Sequence, residues 1–250
     1  LTVERVALLL IGSWVLLSGQ GLLSLCWAFS LVRVVDLFII AAMVRYKICR
    51  VSLGGDFYFI KEIVITAFPI GAFYITLNMY NYVDTVLLSV LTTDAEVGWY
   101  NASYRIYEGL LIIPVTIATV LLPRLSQVYK EQNDVFVNLV AKGIKYIFLL
   151  SLLLTINGVL WSAKVVEIVF GNAYAESTGT LNILLLGVVF AFTVNFLQTV
   201  AITMDKQKTV CYVAVIGLIS NISLNVFLIP KFGHSGAAAA TVIVECFIFL

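Results

Sequence analysis

Residues 175–203 read AESTGTLNILLLGVVFAFTVNFLQTVAIT, with Glu176 the only charge among them. About 20 apolar residues carry an α-helix across the roughly 30 Å of hydrocarbon in a bilayer, so this stretch predicts a transmembrane helix. Further runs of the same kind lie at about 6–18, 21–44, 59–91, 101–122, 140–161, 208–229 and 236–250. None shows the alternating pattern of a barrel strand, and a segment in lipid must close its backbone hydrogen bonds within itself. Over the whole chain of 250 residues, 62% are hydrophobic and 12% charged, and the mean hydropathy is +1.05. A water-soluble domain of this size has no interior large enough for that much apolar surface. The expectation is an all-α, polytopic transmembrane helix bundle with about eight spans. Gly19, Gln20 and Gly21 interrupt one continuous apolar stretch, which predicts a tight hairpin there, because a single helix would overrun the bilayer.

The basic residues divide by side. Alternate breaks hold Arg5, then Arg45, Lys47, Arg50 and Lys61, then Arg124, Lys130, Lys142 and Lys145, then Lys206 and Lys208. The opposite breaks hold only Lys164 and Lys231, while Arg33 and Arg105 fall within spans. An excess of Lys and Arg in short loops marks the cytoplasmic side. The reading is a multi-pass protein of the cell (plasma or inner) membrane with its N-terminal end in the cytoplasm.

Several kinds of chemistry leave no trace in the sequence. A net charge of +1 without a long basic run gives no reason to expect nucleic acid as a partner. Cys26, Cys49, Cys211 and Cys246 are scattered and read as packing residues, and no metal or cofactor motif is visible. The one histidine, His234, sits in a turn from Pro230 to Gly236 and reads as a solvated loop residue. Phosphate-binding, esterase and zinc-protease signatures are missing, so the chain is not read as an enzyme.

The break from Arg45 to about Phe57 is the most basic, and it separates two helices from a block of six. Arg124 to about Lys145 mixes charges with Val128, Val135, Phe136, Leu139 and Val140, a pattern that suits an amphipathic helix lying along the headgroups. The chain starts with Leu1 and stops at Leu250 in mid-span, which reads as a fragment of a longer protein.

Polar residues inside the spans supply the candidate site. Tyr74, Asn78, Asn81 and Asp84 recur at intervals of three and four, as do Asn101, Arg105 and Glu108, so each set forms a stripe on one helix face. Asp84 and Arg105 lie at similar depth on neighbouring spans. A charge in hydrocarbon costs about 2.5–3.5 kcal/mol even on the lenient insertion scale, so either the two pair to pin the hairpin or the stripes line a hydrophilic cavity. Tyr74, Tyr80 and Tyr104 offer flat amphipathic rings suited to sugars, whereas Trp99 and Tyr100 fit an interfacial belt. Glu245, near the middle of the last span with Thr241 one turn earlier, is a candidate for ion coupling. Asn195 with Gln198, and Asn221 with Asn225, read as interhelical glue.

Val83-Asp84-Thr85-Val86-Leu87-Leu88, Ala95-Glu96-Val97-Gly98-Trp99-Tyr100-Asn101-Ala102, Tyr104-Arg105 and Leu121-Leu122-Pro123-Arg124-Leu125-Ser126 resemble the first helix pair of the C-terminal lobe in Wzx-type polysaccharide flippases. These belong to the multidrug/oligosaccharidyl-lipid/polysaccharide superfamily. Val169-Phe170-Gly171-Asn172-Ala173-Tyr174 resembles the family's outer loop, and the stretch from Asn225 through Ile229-Pro230 and Gly233 to Gly236-Ala237-Ala238 resembles its next hairpin. The resemblance covers about 60–250 well and 1–50 loosely. It implies twelve helices in two six-helix lobes, with 1–50 holding the last two of the N-terminal lobe, 51–58 a cytoplasmic linker, and 59–250 the C-terminal lobe with its last helix truncated. It also implies alternating access, carrying a prenyl-pyrophosphate-linked oligosaccharide from the cytoplasmic to the outer leaflet with a coupling cation as a further partner. On that pattern Asp84, Arg105, Glu108, Asn78, Asn81, Tyr74 and Tyr104 line the cavity or gate, with Arg105 suited to a pyrophosphate or anionic sugar. Two alternatives are a cation-coupled multidrug exporter of the same superfamily and an intramembrane glycan polymerase or ligase. The longest outer break, Trp161 to Tyr174, holds only Lys164 and Glu167, too little for the large catalytic loop expected of the last.

Overall fold

The computed structural model describes residues 2–19, 21–47, 57–131 and 133–250, so residues 51–56 of the expected linker, Gln20, Cys49 and Arg50 lie outside the described residues. The described residues are helical, with one short 3-10 turn and no strand among them. The helices are α1 (Thr2–Leu17), α2 (Leu22–Lys47), α3 (Phe57–Leu91), α4 (Asp94–Glu131), α5 (Asn133–Phe170), α6 (Ser177–Thr203) and α7 (Gln207–Phe249). Five described helices are long and apolar enough to cross a membrane: α2, α4, α5, α6 and α7.

The chain divides into two compact units, Leu1–Thr66 and Ala67–Leu250. In the first, α1 and α2 form a hairpin whose turn uses Gly19 at φ 70°, a conformation that costs a residue with a Cβ about 1–2 kcal/mol. The Ser18 and Gly19 amides donate back to the Trp14 and Leu16 carbonyls and finish α1. Gly12 faces Leu25 and Phe29 across the pair.

In the second unit α6 is the central element, packed by α4, α5 and α7. It is apolar all round, as a helix surrounded by other helices should be, and Leu181, Leu184, Leu185, Val188, Ala191, Phe192 and Phe196 are fully buried. Glycines on the partners receive its large side chains: Phe196 fits against Gly143 and Leu185 against Gly158, while Gly187 of α6 itself admits Val242. Small residues at such crossings let helix backbones approach closely in lipid, where dispersion rather than the hydrophobic effect drives packing. Outside this core, Leu152, Leu153, Ile156 and Leu160 of α5 remain exposed, as a lipid-facing surface requires.

Three boundaries differ from the sequence expectation. The segment from Arg124 to Lys145 is not a separate surface helix; α4 runs on to Glu131 and α5 starts at Asn133. The reason is packing, since Val128 and Phe136 are buried in the core and the Tyr129 and Phe136 rings lie 5.1 Å apart. The break from Trp161 to Tyr174 is also mostly helix, because Ser162 and Val166 are buried and carry α5 to Phe170, where Gly171 turns the chain at φ 82°. The turn after α3 shrinks to Thr92 and Thr93. Glu96 lies three residues after Thr93, a capping-box spacing, and its amide approaches the Thr93 hydroxyl at 3.5 Å.

α7 contains a break at Gly233 (φ 55°, ψ −136°). Gly217 and Ile248 touch although 31 residues separate them, a distance of about 46 Å along a straight helix at 1.5 Å per residue, so the two halves fold back on each other. This accounts for the residues around the break. Gly233 takes a backbone conformation that an L side chain avoids, Gly236 sits against the Leu228 carbonyl, and Ala237 and Ala238 are fully buried. A methyl group at Gly236 would run into that carbonyl oxygen, so Gly236→Ala should lower the unfolding free energy by about 1–3 kcal/mol. Gly109→Ala, where a methyl group would meet open space, should leave stability equal or higher; thermal melts of the purified variants in detergent check the contrast.

Candidate functional site

Polar residues four apart recur on three elements of the second unit: Tyr80 and Asp84 on α3, Asn221 and Asn225 on the first half of α7, and Thr241 and Glu245 on its second half. A spacing of four places each pair on one helix face, and folding α7 back at Gly233 brings the three faces together. Asp84 is 2% exposed and stands at the junction. The Tyr100 hydroxyl donates to its Oδ2 at 2.7 Å, the Thr241 hydroxyl to the same oxygen at 2.7 Å, and the Asn225 amide to Oδ1 at 2.6 Å. That amide also donates to Asn221 Oδ1 at 2.9 Å, while the buried Asn225 Oδ1 has no hydrogen-bond partner among the described residues. Asp84 has no ion-pair partner among the described residues, and three short bonds to one carboxylate are what such a buried group requires. Separately, the Tyr80 hydroxyl donates to Glu245 Oε1 at 3.0 Å, and the Thr85 hydroxyl to Asn101 Oδ1 at 3.0 Å.

The structure gives Asp84 and Arg105 different partners. Arg105 forms an ion pair with Glu108 at 2.9 Å, one turn along α4, and the two side chains are 68% and 42% exposed. Asn78 and Asn81 are also exposed, Tyr104 is half-buried between Tyr100 and Tyr107 in a row of rings, and the side chain of Tyr74 lies outside the described residues. Of the expected site residues, Asp84 and Glu245 are thus buried, while Asn78, Asn81 and the Arg105–Glu108 pair are exposed.

Tyr100 is not a belt residue; it is 1% exposed because its hydroxyl reaches Asp84. Asn221 and Asn225 do bond to each other, but their more consequential contact is to a carboxylate 141 residues away. His234 is not a solvated loop residue either. Its amide donates to Glu96 Oε2 at 2.9 Å, its ring lies 5.4 Å from that of Trp99, and Trp99 Nε1 reaches the Ala173 carbonyl at 3.4 Å. The start of α4, the turn after α5 and the break in α7 are thereby tied together at one end of the unit.

Long apolar helices, packed through glycine notches around a buried carboxylate network, define a multi-pass membrane protein of the helical-bundle class. The sequence matches the model of the Lipid II flippase MurJ family over residues 9–250, and the chain belongs to that family. A Shigella flexneri protein named as an O-antigen transporter is 31% identical over 160 residues, covering 63% of this chain and 37% of the relative. Among solved structures, one of lipid II flippase MurJ in an inward closed conformation superposes with a TM-score of 0.84 at 17% identity, covering 98% of this chain and 52% of that one. An outward-facing multidrug transporter of the MATE family, in the MOP superfamily, superposes with a TM-score of 0.65 at 14% identity, covering 98% and 58%. The chain therefore spans about half, or less, of the length of these relatives. The two structural likenesses speak for the fold.

Proposed function

We propose that this chain is part of a flippase that moves a lipid-linked oligosaccharide of the prenyl-pyrophosphate type from the cytoplasmic to the outer leaflet of the cell membrane. Residues 1–50 would supply the last two helices of an N-terminal lobe, 51–58 a cytoplasmic linker and 59–250 the C-terminal lobe, within a twelve-span protein that has this chain's N-terminal end in the cytoplasm. Membership of the flippase family supports the reading, and one observation carries it to these residues: the exposed Arg105–Glu108 pair on a membrane-length helix. Arg105 lies four residues into the apolar run 101–122 of α4, about 6 Å at 1.5 Å per residue and inside the edge of the hydrocarbon. At a cost of about 2.5–3.5 kcal/mol or more for a charge in lipid, such a residue belongs on a wet face.

On that face the Arg105 guanidinium offers a bidentate fork to pyrophosphate or an anionic sugar, while Asn78, Asn81 and Tyr104 offer amides and a ring to the glycan. The headgroup then crosses without entering hydrocarbon, and the prenyl tail stays among the membrane lipids. No bond is made or broken; rocking of the lobes exposes the cavity to each side in turn. Coupling to a cation gradient falls to the buried carboxylates Asp84 and Glu245. The test is translocation by the full-length protein in proteoliposomes. Movement of a fluorescent polyprenyl-pyrophosphate glycan, without export of cationic dyes, is the expected result; dye export without glycan movement would transfer the assignment to the multidrug class.

A further inference from the structure

We propose that His234 and Glu96 form a proton-controlled latch where the start of α4, the turn after α5 and the break in α7 meet. The Glu96 carboxylate already caps the break: its Oε2 accepts the His234 amide at 2.9 Å, at the N-terminal end of the second half of α7, where a helix favours negative charge. A methyl group at Gly233 would run into the same carboxyl group, so glycine is what lets it approach. The His234 imidazole stands beside that oxygen as well, with Nδ1 3.5 Å from Oε2. Nδ1 is buried and has no hydrogen-bond partner among the described residues.

The contact is open to strengthening. At 3.5 Å it is longer than the about 2.7–2.9 Å of a charge-assisted hydrogen bond, and a neutral ring whose Nδ1 lone pair faces a carboxylate gains nothing from it. A protonated ring donates from both nitrogens, so the added proton turns the contact into an ion pair between α4 and α7. The Trp99 ring bounds the imidazole on another side, 5.4 Å away, and is itself tied to the Ala173 carbonyl. Protons have a route to the ring, because an open cavity of about 450 Å³ adjoins the pair, lined also by Thr92 and Lys231.

The other charges at this junction do not reverse the sign. The end of α3 brings the uncharged Leu91 and Thr92, and the turn after α5 brings Tyr174 beside Gly98. Asp94 on α4 and Lys231 on α7 are exposed and of opposite charge, so water screens them more than the half-buried Glu96. Histidine changes charge between about pH 5 and 8, whereas an ordinary carboxylate stays ionised over that range. The latch is therefore tight at the low end of the range and loosens as pH rises. It restrains the start of α4, nine residues before Arg105. On the flippase reading, on which this last step rests, that end faces outward and the external pH sets the restraint.

The test is backbone hydrogen–deuterium exchange of the full-length protein in lipid vesicles at pH 5.5 and pH 8, followed over residues 94–100 and 231–237. Each variant is compared with wild type at the same pH, which cancels the intrinsic pH dependence of exchange. His234→Phe keeps a ring against Trp99 but never carries charge; at pH 5.5 both segments should exchange about two- to fivefold faster than in wild type, and at pH 8 the two proteins should agree. Glu96→Gln keeps an acceptor for the His234 amide and removes the charge, so in that background His234→Phe should have the same effect at both pH values. His234→Gln serves if His234→Phe does not fold. A ratio of wild type to His234→Phe that is the same at both pH values, or a pH-dependent ratio that survives Glu96→Gln, would overturn the proposal. No transport is measured, so the latch can fail with glycan translocation intact and hold with translocation absent.

Discussion

Replacing Asp84 by Ala should both unfold the second unit more readily and abolish transport. The substitution strands the Tyr100 hydroxyl, the Thr241 hydroxyl and one hydrogen of the Asn225 amide, all buried. At about 1–3 kcal/mol per stranded donor, the loss exceeds about 3 kcal/mol. Asp84→Asn separates the two effects. Its amide oxygen still accepts from Tyr100 and Thr241, so melting should fall less, but the charge is gone and coupled transport should be lost nearly as completely. Thermal melts in detergent together with glycan translocation in proteoliposomes give both readouts. Wild-type melting of Asp84→Ala would contradict the network described here.

Arg105 should behave in the opposite way. Its side chain is exposed and its one ion pair is local, so Arg105→Ala should change stability by no more than about 0.5 kcal/mol. The expected loss is functional. A hydrogen bond to a charged group is worth about 1.5–3 kcal/mol, so removing the guanidinium should reduce glycan translocation about 10- to 100-fold. Arg105→Lys keeps the charge but replaces a planar fork with a point donor, and it should recover only part of the rate. Normal export by both variants at wild-type protein level would remove Arg105 from the mechanism.

The helical class and the α1–α2 turn were legible because lipid imposes a length and a composition on every span, and because a chain reversal within an apolar run calls for a residue such as Gly19. Helix ends were not legible in the same way. Polar breaks mark where a helix leaves hydrocarbon, but α4 and α5 continue past them because Val128, Phe136, Ser162 and Val166 find neighbours there. The Thr93–Glu96 spacing was a signal in the sequence for the start of α4. Of the polar residues, the Arg105–Glu108 pair is three apart and readable as a local contact. The partners of Asp84 are not, since spacing puts Asn221 with Asn225 and Thr241 with Glu245 but does not say which helix they face. Tyr100 stands beside Trp99 at the start of a span, and only the packing of α4 against α3 shows that its hydroxyl meets a buried carboxylate rather than the interface.

The central claim is that the Arg105 face of α4 borders water that the substrate headgroup enters. It is tested most directly by introducing Arg105→Cys into a full-length protein whose own cysteines have been replaced, and measuring reaction with a charged, membrane-impermeant thiol reagent. Leu153→Cys, on the exposed apolar face of α5, serves as the lipid-facing control. The account predicts rapid labelling at 105, slowed by a polyprenyl-pyrophosphate glycan, and little labelling at 153. Labelling at 105 no faster than at 153 would contradict it.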